Sequence, residues 1–316
     1  MKLSRAVSQC YGVAVAVLHE SGIVPLLLRS RAPCGSADDE NSRLRSIVAL
    51  AKAIIGSAAA RYGDTVISGA DLLAECGAAE VFLPYIPLIE TPLQDVCSLL
   101  NVVTATIATA KGPALSLSAR CTALDCIRSR IRDTNEQDYS HVLSSQTYRN
   151  VPYHVSVTAI LTVLITGTTD GTVTAPRLPY AAVSVFVPLI RSTIKQHEQD
   201  FVCRKVIIEC AAVLRNLFKC YREDDKEGAQ CRTDLAEFVA SPSFHHLLEL
   251  TDNDALMELL RFIDVCDDAS LALGLTPSRL GHIIREVGRY MWNYHRDVLN
   301  LYELLAKLAA RLPAFA

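Results

Sequence analysis

The chain has 316 residues, enough for two ordinary domains or for one extended array of helical repeats. Half of the residues are hydrophobic but only 6% are aromatic, and this Ala- and Leu-based composition suits helix–helix packing better than a β-sandwich. The net charge of -3 argues against a nucleic-acid-binding protein that works by bulk electrostatics, although it leaves room for a local basic patch.

The predicted elements are almost all helices. The β-branched run at 151–169 is too long for a strand, and its apolar positions fit a buried helix. In chain order, the predicted helices span roughly 3–19, 22–30, 43–62, 66–76, 78–90, 92–110, 114–132, 136–147, 153–167, 178–197, 199–222, 230–240, 242–250, 252–266, 276–291 and 294–311.

The N-terminal stretch MKLSRAVSQCYGVAVAVL has basic residues followed by an apolar run. We interpret it as a first amphipathic helix, with a weak signal or transit peptide as the alternative, because no clear cleavage site follows. The most apolar windows, at 155–165 and 181–190, fall short of the ~20 residues that a spanning helix needs, so we predict no membrane span.

The breaks between predicted helices are short and polar, at 32–42, 166–176 and 222–230. The second, TGTTDGTVTAP, contains two glycines and five threonines and is the strongest turn cluster in the chain. We therefore predict one domain over 1–316, with 1–168 and 175–316 as candidate halves.

The eleven cysteines are scattered, and most fall on apolar faces of predicted helices. We interpret them as reduced, buried residues of a cytoplasmic protein, with the nucleus or a cytoskeletal assembly as alternative locations. No CxxC pair is present, and the pair Cys121 and Cys126 has no matching ligands, so we predict no structural metal.

The helix predicted at 199–222 has an unusually wide apolar arc, formed by two adjacent stripes. Such a helix is covered from more than one side, as in layered stacks of helices. The stripes contain Val206, Cys210, Val213, Leu217 and Cys220, and Ile207, Ala211, Leu214, Phe218 and Tyr221.

Two strings resemble armadillo and HEAT repeats. The first is AAVLRNL at 211–217, followed by the turn FVASPSF at 238–244 and the helix HHLLEL at 245–250. The second is ESGIVPLL at 20–27. The resemblance implies an all-α fold, a right-handed α-superhelix of stacked repeats, in which the third helix of each unit lines a concave surface.

The resemblance also implies a binding role for one asparagine, since the Asn of this string bonds the main chain of an extended ligand in peptide-binding armadillo proteins. Asn216 matches that position, and Asn101 matches it more loosely. A solvated surface position is the alternative for Asn216. The Trp that nuclear-import adaptors carry one turn earlier is replaced by Ala212, which argues against recognition of basic localisation peptides.

Charged residues near this string are further candidates. Arg215, Lys219 and Arg222 share one helix stripe and could contact an acidic partner segment or pair with the acids at 223–225. Arg289 and Trp292 belong to an Arg- and aromatic-rich segment that is typical of an interface or of a terminal capping helix. The acids at 264, 267 and 268 cluster near a predicted helix C-terminus, where the helix dipole disfavours negative charge; a solvated turn or a basic partner is expected there.

No phosphate-binding loop, GxSxG elbow, HExxH pair or calcium loop is present in the sequence. We therefore predict a non-catalytic scaffold or adaptor that binds a peptide or a partner subunit, with no cofactor and no small-molecule substrate. Two alternatives stay open: an all-α enzyme or regulatory subunit with a pocket between helices, and a structural component of a large assembly.

Overall fold

The computed structural model describes residues 13–29, 37–57, 59–62, 65–86, 93–109, 116–133, 151–168, 171–197, 204–222, 225–250, 253–290 and 295–312. These residues are almost wholly helical, which confirms the all-α class. They form two compact units, the first from residues 1–139 and 159–176 and the second from residues 140–158 and 177–316. Within the described residues, no helix combines the length and apolarity that crossing a bilayer requires.

Unit 1 contains seven complete described α-helices, part of an eighth, and one hairpin; the division between the units falls within the eighth helix. The helices are α1 (Val13–Ser21), α2 (Ile23–Arg29), α3 (Ala37–Ile55), α4 (Gly69–Glu75), α5 (Ala78–Phe82), α6 (Leu93–Ile107), α7 (Leu117–Asp133) and α8 (Val151–Thr166). A 3₁₀ helix, Leu83–Tyr85, follows α5, and strands β1 (Ala60–Tyr62) and β2 (Thr65–Ile67) pair antiparallel between α3 and α4.

Unit 2 continues with nine described α-helices. They are α9 (Tyr180–Val183), α10 (Val187–His197), α11 (Arg204–Cys220), α12 (Lys226–Val239), α13 (Pro242–Leu250), α14 (Asn253–Val265), α15 (Asp268–Gly274), α16 (Pro277–Tyr290) and α17 (His295–Ala310). A 3₁₀ turn, Ser184–Phe186, separates α9 from α10.

The structure differs from the predicted spans at three places. The hairpin occupies the end of the helix predicted at 43–62 and the start of the one predicted at 66–76, and it pairs Tyr62 with Thr65. The helix predicted at 178–197 is divided into α9, the 3₁₀ turn and α10. No helix was predicted for α15, which begins after Asp267, whose side chain accepts a hydrogen bond from Ser270 N at 2.7 Å. The helix predicted at 136–147 lies outside the described residues.

In unit 1, α3, α4 and α6 pack against one another. The close approach of α3 and α4 requires glycine at position 69, because a Cβ there would lie 1.8 Å from the Ile54 carbonyl oxygen. Ser68 caps α4 in a capping box with Asp71, whose carboxylate accepts from the Ser68 N–H at 2.9 Å.

The threonine-rich segment after α8 is held by an arginine of unit 1. Arg120 is buried and donates from Nε to the Leu164 carbonyl at 2.7 Å and from Nη1 to the Pro176 carbonyl at 2.6 Å. Arg120 therefore satisfies carbonyls at the C-terminal end of α8 that have no partner within the helix.

In unit 2, helices pack in a recurrent order. α11 packs on α14 and α14 on α17, while α12 packs on α15 and α13 on α16. The rings of Phe238, Phe244 and Phe262, from α12, α13 and α14, lie 5.0 to 6.2 Å apart between centroids and fill the space between these helices.

Candidate partner-binding face

The outward stripes of α11, α14 and α17 recur at a constant interval. Lys219, Arg261 and Glu303 follow one another 42 residues apart, and all three are exposed. About one helical turn earlier, the equivalent positions are Arg215 and Met257, which are half-buried, and Leu299, which is 60% exposed. We call these stripes the three-helix face; it contains Lys205, Glu209, Ala212, Arg215, Asn216, Lys219, Asp254, Met257, Glu258, Arg261, Leu299, Asn300 and Glu303.

Ion pairs join neighbouring helices of this face at a related interval. Arg215 Nη1 on α11 lies 2.5 Å from Glu258 Oε1 on α14, and Lys307 Nζ on α17 lies 2.5 Å from Asp264 Oδ2 on α14. Both pairs connect residues 43 positions apart in sequence. The two intervals are equal because α11 packs on α14 in the same way as α14 packs on α17.

Glu258 is the central charge of the face. Its side chain is only 8% exposed, and Arg261 Nη1 of the same helix also contacts it, at 3.3 Å from Oε2. The contact between Arg215 Nη1 and Glu258 Oε1 has the distance of an ion pair but not the angles of a hydrogen bond, so Glu258 Oε1 has no hydrogen-bond partner. Arg215 Nε is also buried without one. One buried carboxylate thus faces two guanidinium groups, a pairing whose desolvation cost offsets much of its attraction.

Asn216 lies at the position on α11 that Glu258 occupies on α14 and Asn300 on α17, 42 residues apart in each case. Asn216 is 2% exposed, and its Oδ1 is buried without a hydrogen-bond partner. A buried amide oxygen left unpaired is costly, and native structures contain few of them. The assignment of Oδ1 and Nδ2 depends on the surrounding network, so the firm observation is an amide with one unpaired buried end.

A second acid, Glu209, lies on α11 nearer its N-terminus. Burial raises the pKa of Glu209, the nearby Lys205 ammonium lowers it, and the Glu258 carboxylate raises it again. The charges of α11 and α14 therefore influence one another across the seam between the two helices.

The structure brings together some of the predicted site residues and separates others. Arg215, Asn216 and Lys219 share α11, with Lys219 exposed and the other two largely covered. Asn101 is exposed on α6 of unit 1, so it does not belong to the three-helix face. Arg289 lies on α16, and Trp292 lies outside the described residues.

The sequence left open whether the cations at 215, 219 and 222 pair with the acids at 223–225. The structure answers this for Asp225 only, which contacts other residues. Its carboxylate contacts Arg177 Nη2 at 2.5 Å and accepts from Gly228 N at 2.7 Å, capping α12. The hydrogen bond from Gly228 and then the Arg177 contact lower the pKa of Asp225. Positions 223 and 224 lie outside the described residues.

Sequence reasoning missed Glu258 and Arg261 as members of the site. The signal was present, because Glu258 interrupts the apolar run Leu256, Leu259 and Leu260, and a charge inside a buried run needs a partner. The partner Arg215 lies 43 residues earlier, a distance at which sequence alone shows no pairing.

The acidic cluster at the C-terminal end of α14, formed by Asp264, Asp267 and Asp268, has basic partners rather than solvent alone. Arg311 donates from Nη2 to Asp268 at 2.8 Å and to the Cys266 carbonyl at 2.7 Å, and from Nη1 to the Asp264 carbonyl at 2.6 Å. These bonds fasten the end of α17 to the turn between α14 and α15, which makes the cluster part of the packing of unit 2.

The described cysteines are free thiols, among them the buried Cys97, Cys210, Cys231 and Cys266. Burial raises the pKa of Cys231 and of Cys266 to about 12. Among the residues that the structure describes, no group of three or more His, Cys, Asp or Glu side chains could hold a metal ion.

The sequence matches no model of a known protein family, and no curated protein aligns with it significantly. The resemblance to armadillo and HEAT repeats therefore rests on the residues of this chain alone.

Proposed function

We propose that the chain is a non-catalytic scaffold or adaptor, that its unit 2 is a short array of three armadillo/HEAT-like helical units, and that it binds a peptide or partner subunit on the three-helix face. The units would be α9–α11, α12–α14 and α15–α17. The free thiols support a cytoplasmic location, where cysteines stay reduced.

The observation that carries the repeat proposal is the pairing of like helices at a constant interval. First helices pair as α12 on α15, second helices as α13 on α16, and third helices as α11 on α14 on α17. The interval of 42 residues is in the range of about 40–47 for HEAT and armadillo units. The caps agree, since Asp225 and Asp267 are 42 residues apart and each begins a first helix.

Two features support binding on the three-helix face. The Asn216 Oδ1 is buried and makes no hydrogen bond, and a polar group that weakens packing is expected to have another use. The amide has a donor and an acceptor, which suits the alternating N–H and C=O groups of an extended chain, but the side chain is 2% exposed, so the ligand must displace the groups that cover it.

The test begins with affinity purification of the full chain from its native cell, followed by mass spectrometry and purification of the dominant partner. Titration calorimetry then compares wild type with the double variant Asn216→Ala, Lys219→Glu. Because the Asn216 Oδ1 makes no hydrogen bond, we expect the melting temperature to change little while the affinity falls at least tenfold.

The matched control carries the same kinds of change on α12, away from the three-helix face. Thr233→Ala with Lys226→Glu alters two exposed positions there and should leave the affinity unchanged. Equal affinities of the wild type and a folded Asn216→Ala, Lys219→Glu protein would place the partner elsewhere on the molecule and contradict the proposal.

A further inference from the structure

The C-terminal halves of α11 and α14 carry more positive than negative charge. Arg215 and Lys219 lie on one stripe of α11, and Arg222 follows two residues after the helix ends; Lys219 and Arg222 are exposed. Arg261 occupies on α14 the position that Lys219 occupies on α11. Among the described residues of these two half-helices that face outward, Glu258 is the acid shown to compensate these cations.

The other described acids near this region are engaged, displaced along the helices, or on the neighbouring helix α17, where Glu303 occupies the position that Arg261 occupies on α14. Asp264 contacts Lys307 and Arg311, and Asp225 contacts Arg177. Asp254 lies seven residues before Arg261, which is about 10 Å along a helix at 1.5 Å per residue. Glu209 lies ten residues before Lys219, near Lys205.

The compensation by Glu258 is incomplete. Arg261 is 51% exposed and reaches Glu258 from one side, while Arg215 reaches it from α11 and keeps Nε without an acceptor. One carboxylate therefore leaves about one guanidinium charge unbalanced at the seam, with Lys219 adding a second cation at the surface.

Resting on the proposed function, we propose that the partner segment bound at this seam is acidic and extended, and that its carboxylates contact Lys219 on α11 and Arg261 on α14. Packed helix axes are about 8–10 Å apart. A chain in the extended polyproline II conformation rises about 3.1 Å per residue with three residues per turn, so residues three positions apart lie on the same side, about 9 Å from each other. Acidic residues at that spacing therefore match the two cations.

Glu258 acts in this arrangement as an internal competitor for the same cations. Replacing it with Gln keeps the shape of the side chain and releases Arg215 and Arg261 from the ion pair. An acidic ligand then meets two more available guanidinium groups, so its affinity rises rather than falls.

The probe is a fluorescein-labelled 12-residue peptide of Ser, Gly and Thr with Glu at every third position. Matched peptides carry Gln or Lys at the same positions. Fluorescence anisotropy with the full chain at 50 mM salt is expected to show at least tenfold tighter binding of the Glu peptide than of the Gln peptide. Binding should weaken at 300 mM salt, because exposed charges are screened.

Three variants test whether the Glu peptide binds at this seam or is attracted by the charge of the protein as a whole. Lys219→Glu with Arg261→Glu should lower the affinity for the Glu peptide at least tenfold, whereas Lys226→Glu on α12 should leave it unchanged. Glu258→Gln should raise it severalfold. Because Glu258 is buried, circular dichroism and melting accompany that variant; if it is not folded, Lys219→Gln with Arg261→Gln serves in its place and should abolish the Glu preference.

Equal binding of the Glu and Gln peptides, no binding of either, or weaker binding by a folded Glu258→Gln protein overturns this inference. The proposed function fails separately. If a purified native partner binds the three-helix face and its affinity is unaffected by Lys219→Glu and Arg261→Glu, only the inference of an acidic segment is wrong. If the partner binds elsewhere on the molecule, both that inference and the proposed function are wrong.

Discussion

Gly274 at the end of α15 lies close against α12, and Gly274→Ala should destabilise the protein. A Cβ at this position would lie 2.2 Å from Val239 Cγ1 on α12 and 3.7 Å from Phe244 Cε1. Non-bonded carbons sit about 3.5–4.0 Å apart, so the valine methyl must retreat by roughly 1.5 Å. Val239 is fully buried and β-branched, which leaves it no open space to move into.

The expected cost follows from two opposing effects. Exchanging Gly for Ala in a helix favours folding by about 0.5–1 kcal/mol. Overpacking a core typically costs about 1–3 kcal/mol, so we expect a net loss of about 1–2 kcal/mol. For a protein of this size, 1 kcal/mol changes the melting temperature by about 2–4 °C.

The control variant is Gly281→Ala on α16, where a Cβ would meet only Arg285 Nη1 at 3.8 Å. The same exchange without the clash should stabilise the protein. Adding Val239→Ala to Gly274→Ala removes the clashing methyl, so the double variant should be less destabilised than the sum of the single variants by about 1–2 kcal/mol. Urea unfolding measures the five proteins: the wild type, the single variants Gly274→Ala, Gly281→Ala and Val239→Ala, and the double variant. The packing of α15 on α12 would be refuted if the losses in free energy of unfolding of Gly274→Ala and Val239→Ala were additive in the double variant. It would also be refuted if the Gly274→Ala protein were as stable as the Gly281→Ala protein.

Three further predictions concern unit 2. Leu305, 1% exposed on α17, should not tolerate Leu305→Asp, since an unpaired charge would be buried; hydrogen exchange should show α17 unprotected, and full protection would mean that the helix is not docked. The pKa of Asp225 is lowered in the folded protein, so its contribution to stability is complete above the ordinary pKa of 3.8 and is lost as the pH falls through the folded-state pKa. Asp225→Asn can still cap α12 but does not titrate, so the melting temperature of this variant should fall less steeply at acidic pH than that of the wild type. An equally steep fall in both proteins would contradict this. Burial raises the pKa of Cys231 and Cys266 to about 12, so both should react with iodoacetamide at pH 8 far more slowly in the folded than in the unfolded protein; equal rates would show that they are accessible.

The helical class could be predicted because most of the chain has apolar residues at helical spacing. The wide apolar arc of α11 is explained by α10, α12 and α14, which pack on it from several sides. The hairpin at 60–67 was missed because its strands are three residues long, too short for an alternating pattern to be recognised. The helix α15 was missed because its seven residues give little periodicity; only the cap at Asp267 marked it.

The candidate site was predicted in part. Helical spacing placed Arg215 and Lys219 on one stripe of α11, and the structure agrees. Helical spacing could not show that Asn216 is buried, because burial depends on helices that are distant in sequence. Nor could it show that Glu258 takes Arg215 as its partner, since this pair depends on how α14 packs on α11.

Site-specific photo-crosslinking in the native cell tests the central claim most directly. A benzophenone amino acid is placed in turn at Lys219, Arg261 and Glu303, the exposed equivalent positions of the three-helix face, and at Thr233 and Ala272, exposed on α12 and α15. We expect the first three positions to crosslink one and the same protein and the last two not to crosslink it. Crosslinks to that protein from Thr233 or Ala272 alone would contradict the claim that the partner binds the three-helix face.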